Sequence, residues 1–244
     1  MRDMDEYYKK YTEEHFEGYL VKYRRKKEIA FLNKYNPANV LEIGCGMEPI
    51  FEYWNLSESM TVVEPQKSFF QNAYEKAQKK DNVKVIHKMF QDAQQELKQE
   101  QWDVILCSGV LGEVIEPESF LKDVFNLCGK KTRILIITSN AYSFHRILGK
   151  EMGVINDVHS ITGNSENLQQ LRIFDKQLMR QLVENCGGVI NELSTYFIKP
   201  FTHTQMYACL ENNIFTDQVL EGLWNMSRYL PEYGAELYCD CGLE

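Results

Sequence analysis

The sequence predicts an α/β protein, a mostly parallel sheet with helices on both faces. Three observations predict it. From residue 39 onward short apolar runs alternate with stretches of helical character, the order that builds parallel sheets from crossover units. The runs are apolar at successive positions rather than alternate ones, as strands covered on both faces require. The first run then breaks into the turn Gly44-Cys45-Gly46, where missing side chains permit a tight bend and a close approach of backbone to a ligand.

The strand candidates are 39–43, 60–64, 83–87, 102–107 and 133–138. Ahead of them, a Tyr-, Lys- and Glu-rich segment reads as one or two helices over about 5–34, so residues 1–34 are expected to form a helical segment and 35–244 the main domain. Between the second and third strands Phe69, Ala73 and Ala77 recur at helical spacing and form a core stripe. A further helix opens at Asp175, a natural N-cap, and stops at Gly187-Gly188. Residues 139–172 carry no clean period, and so long an irregular stretch predicts a lid or substrate-binding insertion; 200–232 is read with it, including an extra helix over 215–229.

With 244 residues and 44% hydrophobic content, the chain can bury one sizeable core. Its 35 acids against 27 bases give a net charge of −8, which disfavours nucleic acid as a partner. No apolar run approaches the roughly 18 residues of a membrane span, and residues 1–6 lack the apolar core of a signal peptide; a cytoplasmic protein is expected. The seven cysteines are an odd number, and most sit in apolar surroundings, which suits reduced thiols. The basic run Lys22-Tyr23-Arg24-Arg25-Lys26-Lys27 reads as a solvated helix face. No metalloprotease, zinc-deaminase or phosphate-loop pattern occurs, so no metal is expected.

Glu64 ends the second strand about twenty residues after the glycine turn, where a carboxylate can accept hydrogen bonds from the cis-hydroxyls of a ribose. A dinucleotide site would carry a third glycine; here Pro49 stands at that position. The segment Leu41-Glu42-Ile43-Gly44-Cys45-Gly46 with Pro49 instead resembles motif I of the class I S-adenosylmethionine-dependent methyltransferases. The resemblance implies a Rossmann-like, seven-stranded sheet whose last two strands, near 189–199 and 235–241, form an antiparallel hairpin at one edge. It implies S-adenosylmethionine as cofactor and S-adenosylhomocysteine as product, held by Glu42, Gly44, Cys45, Gly46, Glu64, Pro65, Phe90, Asp92, Ser108 and Gly109.

The segment Ser139-Asn140-Ala141-Tyr142-Ser143-Phe144-His145-Arg146 resembles a pattern of bacterial methyltransferases near sugar and surface-polysaccharide pathways, with Ser139 in place of a proline and Gln170 in place of a histidine. The acceptor implied is a small molecule, a hydroxyl of a sugar or other glycan precursor, free or nucleotide-linked. Histidine, with an unperturbed pKa of about 6.5, is the suited general base, so His145 and His159 are the catalytic candidates. Tyr142, Arg146 and Arg172 are the substrate-binding candidates, with Glu113 and His203 in reserve. Two rival readings are an NAD-type oxidoreductase and a non-catalytic module that keeps the fold and the cofactor.

Overall fold

The computed structural model describes residues 3–13, 15–54 and 57–244. Helices α1 (Met4–Glu13) and α2 (Glu17–Tyr35) precede β1 (Asn39–Ile43), β2 (Ser59–Val63), α3 (Lys67–Ala77), β3 (Val83–Ile86), α4 (Phe90–Leu97), β4 (Val104–Ser108), α5 (Pro117–Phe125) and β5 (Arg133–Ser139). Then come α6 (Phe144–Glu151), the single turn α7 (Asn164–Asn167), α8 (Lys176–Asn185), β6 (Val189–Tyr196), α9 (His203–Glu211), α10 (Asp217–Met226) and β7 (Glu236–Gly242). The strands form one sheet in the order β3-β2-β1-β4-β5-β7-β6, with β7 antiparallel to both β5 and β6 and the remaining pairs parallel. This is the expected Rossmann-like architecture, with the reversal at one edge.

Period-two alternation divides each central strand between two cores. Val40, Val62, Leu106 and Ile137 face α2, α3, α9 and α10; Leu41, Val63, Cys107 and Ile136 face α4, α5 and α8. The stripe Phe69, Ala73 and Ala77 is buried in α3, as its spacing predicts. Asp175 caps α8 by accepting from Leu178 N at 2.7 Å.

Two regions differ from expectation. The stretch 139–172 contains α6, and its loop is pinned down: Arg146 Nε donates to Val158 O at 2.7 Å and its Nη2 to Ser160 O. Helix α9 went unread although Thr202 and Gln205 form a capping box, a start signal present in the sequence.

Gly234 closes the corner into β7, where an added Cβ would lie 2.4 Å from Tyr196 O and 2.5 Å from Tyr196 N. Backbone cannot yield as a side chain can, so Gly234→Ala is expected to cost about 2–3 kcal/mol, the upper part of the overpacking range. Gly18→Ala in α2, with nothing within 4 Å of the new methyl, should be neutral or stabilise by up to about 1 kcal/mol. Urea unfolding of both variants measures the difference.

Candidate active site

The strand ends and the two N-terminal helices enclose a cavity of about 730 Å³ at the C-terminal edge of the parallel strands. Gly44, Cys45 and Gly46 line its floor with Glu64 and Pro65; Phe90, Ser108 and Gly109 continue the wall. The turn is built on left-handed backbone, φ +75° at Gly44 and +57° at Gly46. A Cβ at Gly44 would meet Val110 Cγ2 at 2.8 Å, so glycine is required there twice over.

Glu64 organises this turn. Its Oε2 accepts from Cys45 N at 3.0 Å and Gly46 N at 3.2 Å, and its Oε1 accepts from Gln66 N at 2.9 Å. The amides that a dinucleotide fold turns toward a pyrophosphate are therefore taken by a carboxylate. A carboxylate has about four lone-pair sites, so three are used and one on Oε1 is left for a hydroxyl, rather than the two the sequence suggested. Burial pushes the Glu64 carboxyl up to about 7 against these three hydrogen bonds, with Glu113 adding to the rise.

Glu42 serves differently. It is buried on the α2 side of β1, where Arg25 Nη1 donates to its Oε1 at 2.9 Å and Ile50 N to its Oε2 at 3.1 Å. Burial raises its carboxyl to about 7, with Arg25 opposing. Arg25 also pairs with Glu28 at 2.6 Å and donates from Nη2 to Cys45 O at 3.0 Å, which fixes the glycine turn from behind. Glu42 thus supports the floor without lining it.

Glu17, Arg24 and Gln170 also line the cavity. Arg24 joins Glu17, at 3.1 Å, to Glu236, which also accepts from Tyr196 Oη. Behind Glu17 lies His203, whose Nε2 is 3.4 Å from Glu17 Oε2 and whose Nδ1 is 2.9 Å from the fully buried Lys199 Nζ. Burial opposes ionisation of Glu17, but His203 and Arg24 outweigh it and hold the carboxyl at about 2. The departures from the resembled pattern at Ser139 and Gln170 meet: Gln170 Nε2 donates to Ser139 Oγ at 3.3 Å. Gln170 Oε1 and Ser108 Oγ are buried without a protein partner, although both residues line the cavity. Both atoms are open to a partner in the cavity, a ligand or water.

Over this cavity lies α1. None of its residues is buried, and it is held by Tyr7, Tyr8 and Tyr11 against Phe69, with ring centroids 5.2–5.9 Å apart, and by a bond of 3.2 Å from Tyr7 Oη to Glu113. Tyr7, Tyr11, Glu113, Arg24 and Glu17 were not singled out as site residues in the sequence, Glu113 excepted as a reserve. The signal for Arg24 and Arg25 was present: guanidiniums within a helix that also carries Glu17 and Glu28 have partners for burial.

Other candidates lie elsewhere. His159 is clamped between Asp157 and Asp175 at 3.1 and 3.0 Å, and Tyr142 packs edge-on to it, both outside the cavity lining. Arg146 holds its loop, and Arg172 donates to Ile115 O at 2.7 Å, bracing the wall from outside. Asp92 is exposed in the first turn of α4 and does not line the cavity; its neighbour Gln91 does. His145 sits behind Lys199 and His203, its Nδ1 buried and unpartnered; burial and these cations push its ring well below the ordinary histidine value. No histidine lines the cavity among the described residues.

A family model described as a methyltransferase domain matches residues 14–188, more than half of the chain. The chain belongs to this family. Its sheet, glycine turn and Glu64 fit S-adenosylmethionine, so the cofactor expectation stands. Curated protein sequences give no significant match. Among solved structures, the methyltransferase is similar to magnesium protoporphyrin IX methyltransferase from Synechocystis PCC 6803 with bound S-adenosylhomocysteine, at 12% identity and TM-score 0.58 over 97% of this chain and 86% of that one. The plantazolicin methyltransferase BamL, with S-adenosylhomocysteine and a desmethyl analogue, aligns at 16% identity and TM-score 0.53 over 98% and 95%. The N-methyltransferase NodS from Bradyrhizobium japonicum WM9 aligns at 11% identity and TM-score 0.53 over 92% and 97%. At these identities the likeness is one of fold. No described helix of the methyltransferase is long and apolar enough to cross a membrane, and the described residues contain no metal-binding cluster.

Arg25→Ala strands Glu28 and Glu42 as buried acids without their cation. A loss of about 3–5 kcal/mol is expected on urea unfolding, with weakened S-adenosylhomocysteine binding in the fraction that remains folded.

Proposed function

We propose that this methyltransferase passes the methyl group of S-adenosylmethionine to a small-molecule acceptor, a hydroxyl of a sugar or of another surface-glycan precursor. The observation that carries the two-substrate reading is the single cavity running from Gly44, Gly46 and Glu64 to Glu17, Arg24 and Gln170. At about 730 Å³ it lies in the upper part of the roughly 300–1,000 Å³ range of ligand pockets. The cofactor supplies a methyl group on a positively charged sulfur. The chain's part is alignment, which can lower such a barrier by several kcal/mol; where the acceptor is a hydroxyl, the new carbon–oxygen bond forms as the carbon–sulfur bond breaks and the hydroxyl proton passes to water.

In this reading Glu64 Oε1 takes one ribose hydroxyl, Phe90 packs against the base, and Ser108 Oγ and Gly109 line the donor end. Arg24 Nη1 lies 3.9 Å from where a Gly109 Cβ would stand, so the guanidinium borders the donor end and is within reach of the cofactor's carboxylate. Gln170 Oε1 and Glu17 accept hydrogen bonds from the acceptor and turn one oxygen toward the donor. Held at about 2, Glu17 is a weak base but a constant hydrogen-bond acceptor, so it orients the hydroxyl. The base role expected of His145 and His159 loses its support, because neither ring lines the cavity. The sugar class rests on the 139–146 resemblance, and membership of a methyltransferase family leaves the oxidoreductase reading without support.

The deciding experiment offers radiolabelled S-adenosylmethionine with a panel of free, phosphorylated and nucleotide-linked sugars. Methyl incorporation into a hydroxyl, with turnover lost in Glu17→Gln and S-adenosylhomocysteine binding retained, is the expected result. Cofactor binding without incorporation into any acceptor would favour the non-catalytic module.

Glu64 also sets a pH dependence. Its raised carboxyl is largely ionised only above about 7, and the ribose hydroxyl is accepted best by the ionised form, so binding pulls its pKa down. Affinity for S-adenosylhomocysteine should therefore be full above pH 7 and fall by up to about tenfold per unit below it. Calorimetry between pH 6 and 8 should show this slope in the native protein and a flat, weaker profile in Glu64→Gln.

A further inference from the structure

We propose that α1 is the gate of the cavity and that Gln169 is the latch that holds it shut. The inference rests on the donor site proposed above.

Met4, Tyr7 and Tyr11 of α1 line the cavity, and a Cβ on Gly46 would stand 3.4 Å from Tyr11 Oη, so the helix lies directly over the glycine turn. A ligand seated against that turn is roofed by α1. The roof is lightly built, because no residue of α1 is buried and its tyrosines only rest against the ring of Phe69. Segments that bury so little part from a fold at the lowest cost.

The closed position is set at the start of the helix. Asp3 caps α1: its Oδ1 accepts from Asp5 N at 3.1 Å and Glu6 N at 2.9 Å, and its carbonyl accepts from Tyr7 N at 3.0 Å. The same carbonyl accepts a second bond, at 2.9 Å, from Gln169 Nε2. Gln169 stands just past α7 at φ +50°, the left-handed position that glycine usually takes after a helix. Its own amide donates to Glu166 O at 2.9 Å and that of Gln170 to Ser165 O at 2.8 Å, so the turn is closed on itself. A left-handed backbone strains any residue that carries a Cβ, and such strain persists where the surroundings hold it. Glycine would relieve the backbone here and lose the bond to Asp3.

Gln170, next in the chain, lines the cavity and donates to Ser139. One turn thus borders the ligand space and grips the helix above it. Neither Asp3 nor Gln169 lines the cavity, so their bond governs how often α1 opens and not how well a ligand fits.

The test follows S-adenosylhomocysteine binding to the full chain by surface plasmon resonance, with hydrogen exchange of residues 4–13 read in parallel. Bound S-adenosylhomocysteine should slow exchange of the α1 amides at least about fivefold. In Gln169→Gly both the association and the dissociation rate constants should rise about two- to fivefold, the effect of one hydrogen bond, while Kd stays within about twofold. Gln169→Ala, which loses the bond but keeps the strain, should give the same acceleration and so assign it to the bond. Unchanged rates in either variant, faster dissociation without faster association, or α1 exchange indifferent to the ligand overturns the gate and leaves the donor site standing. Absence of S-adenosylhomocysteine binding in the native protein overturns both.

Discussion

The site depends on one guanidinium. Arg25 reaches from α2 to Glu42 on β1, to Glu28 on its own helix and to the carbonyl of Cys45 in the glycine turn. Burying a charge is expensive, and this one is kept because its partners converge from three segments that must meet for the cavity to exist. The Glu42 carboxylate carries the linkage onward to the amide of Ile50, so both ends of the turn after β1 are anchored to the same pair of charges. The left-handed glycines let the chain make the turn; Arg25 and Glu42 decide where it goes.

With the floor so fixed, the walls differ in how firmly they are held. The β4 and β5 ends belong to the sheet, and the wall formed by Arg24 and Glu17 is backed by Glu236, charged groups linked to Tyr196 and His203. Helix α1 buries none of its residues and is attached by aromatic edges and a few hydrogen bonds. Elements with little buried apolar surface open at the lowest cost, so α1 is the wall with least to lose when a ligand enters or leaves.

The sheet and the glycine turn with Glu64 were legible because they are local. A strand, a glycine turn and an acid at a fixed distance constrain each other through the backbone alone, and Gly44, Gly46 and Glu64 do line one cavity. The part of the cavity lined by Glu17, Arg24 and Gln170 was not, because its side chains are held by partners on β5, β7 and the start of α9, segments far apart in sequence. Arg24 looked like surface in a basic run, since nothing near it in sequence announces Glu236, its partner more than two hundred residues away. The segment around His145 was read as acceptor-facing, yet Asn140 donates to the carbonyls of Glu232 and Gly234 and Arg146 to Val158, so its polar groups chiefly hold the fold together. Ser139 and Gln170, noticed only as departures from a pattern, form a bonded pair at the cavity edge.

Glu42 and Glu64 show what separates a supporting acid from a facing one. Both are buried and both are pushed to about 7, so neither burial nor acidity distinguishes them. Their place along the strand does. Glu42 lies within β1, where period two sends it to the α2 face beside Val40 and into the grasp of Arg25. Glu64 stands one residue past the end of β2, where its amide makes a last ladder bond to Ile86 O at 3.0 Å before the chain turns away. At that last position the side chain has passed the end of the helix-covered sheet face, and the amides of Cys45 and Gly46 draw the carboxylate over the cavity floor. An acid just beyond the C-terminal end of a parallel strand is thus free to face a ligand, and the same residue two positions earlier would be structural.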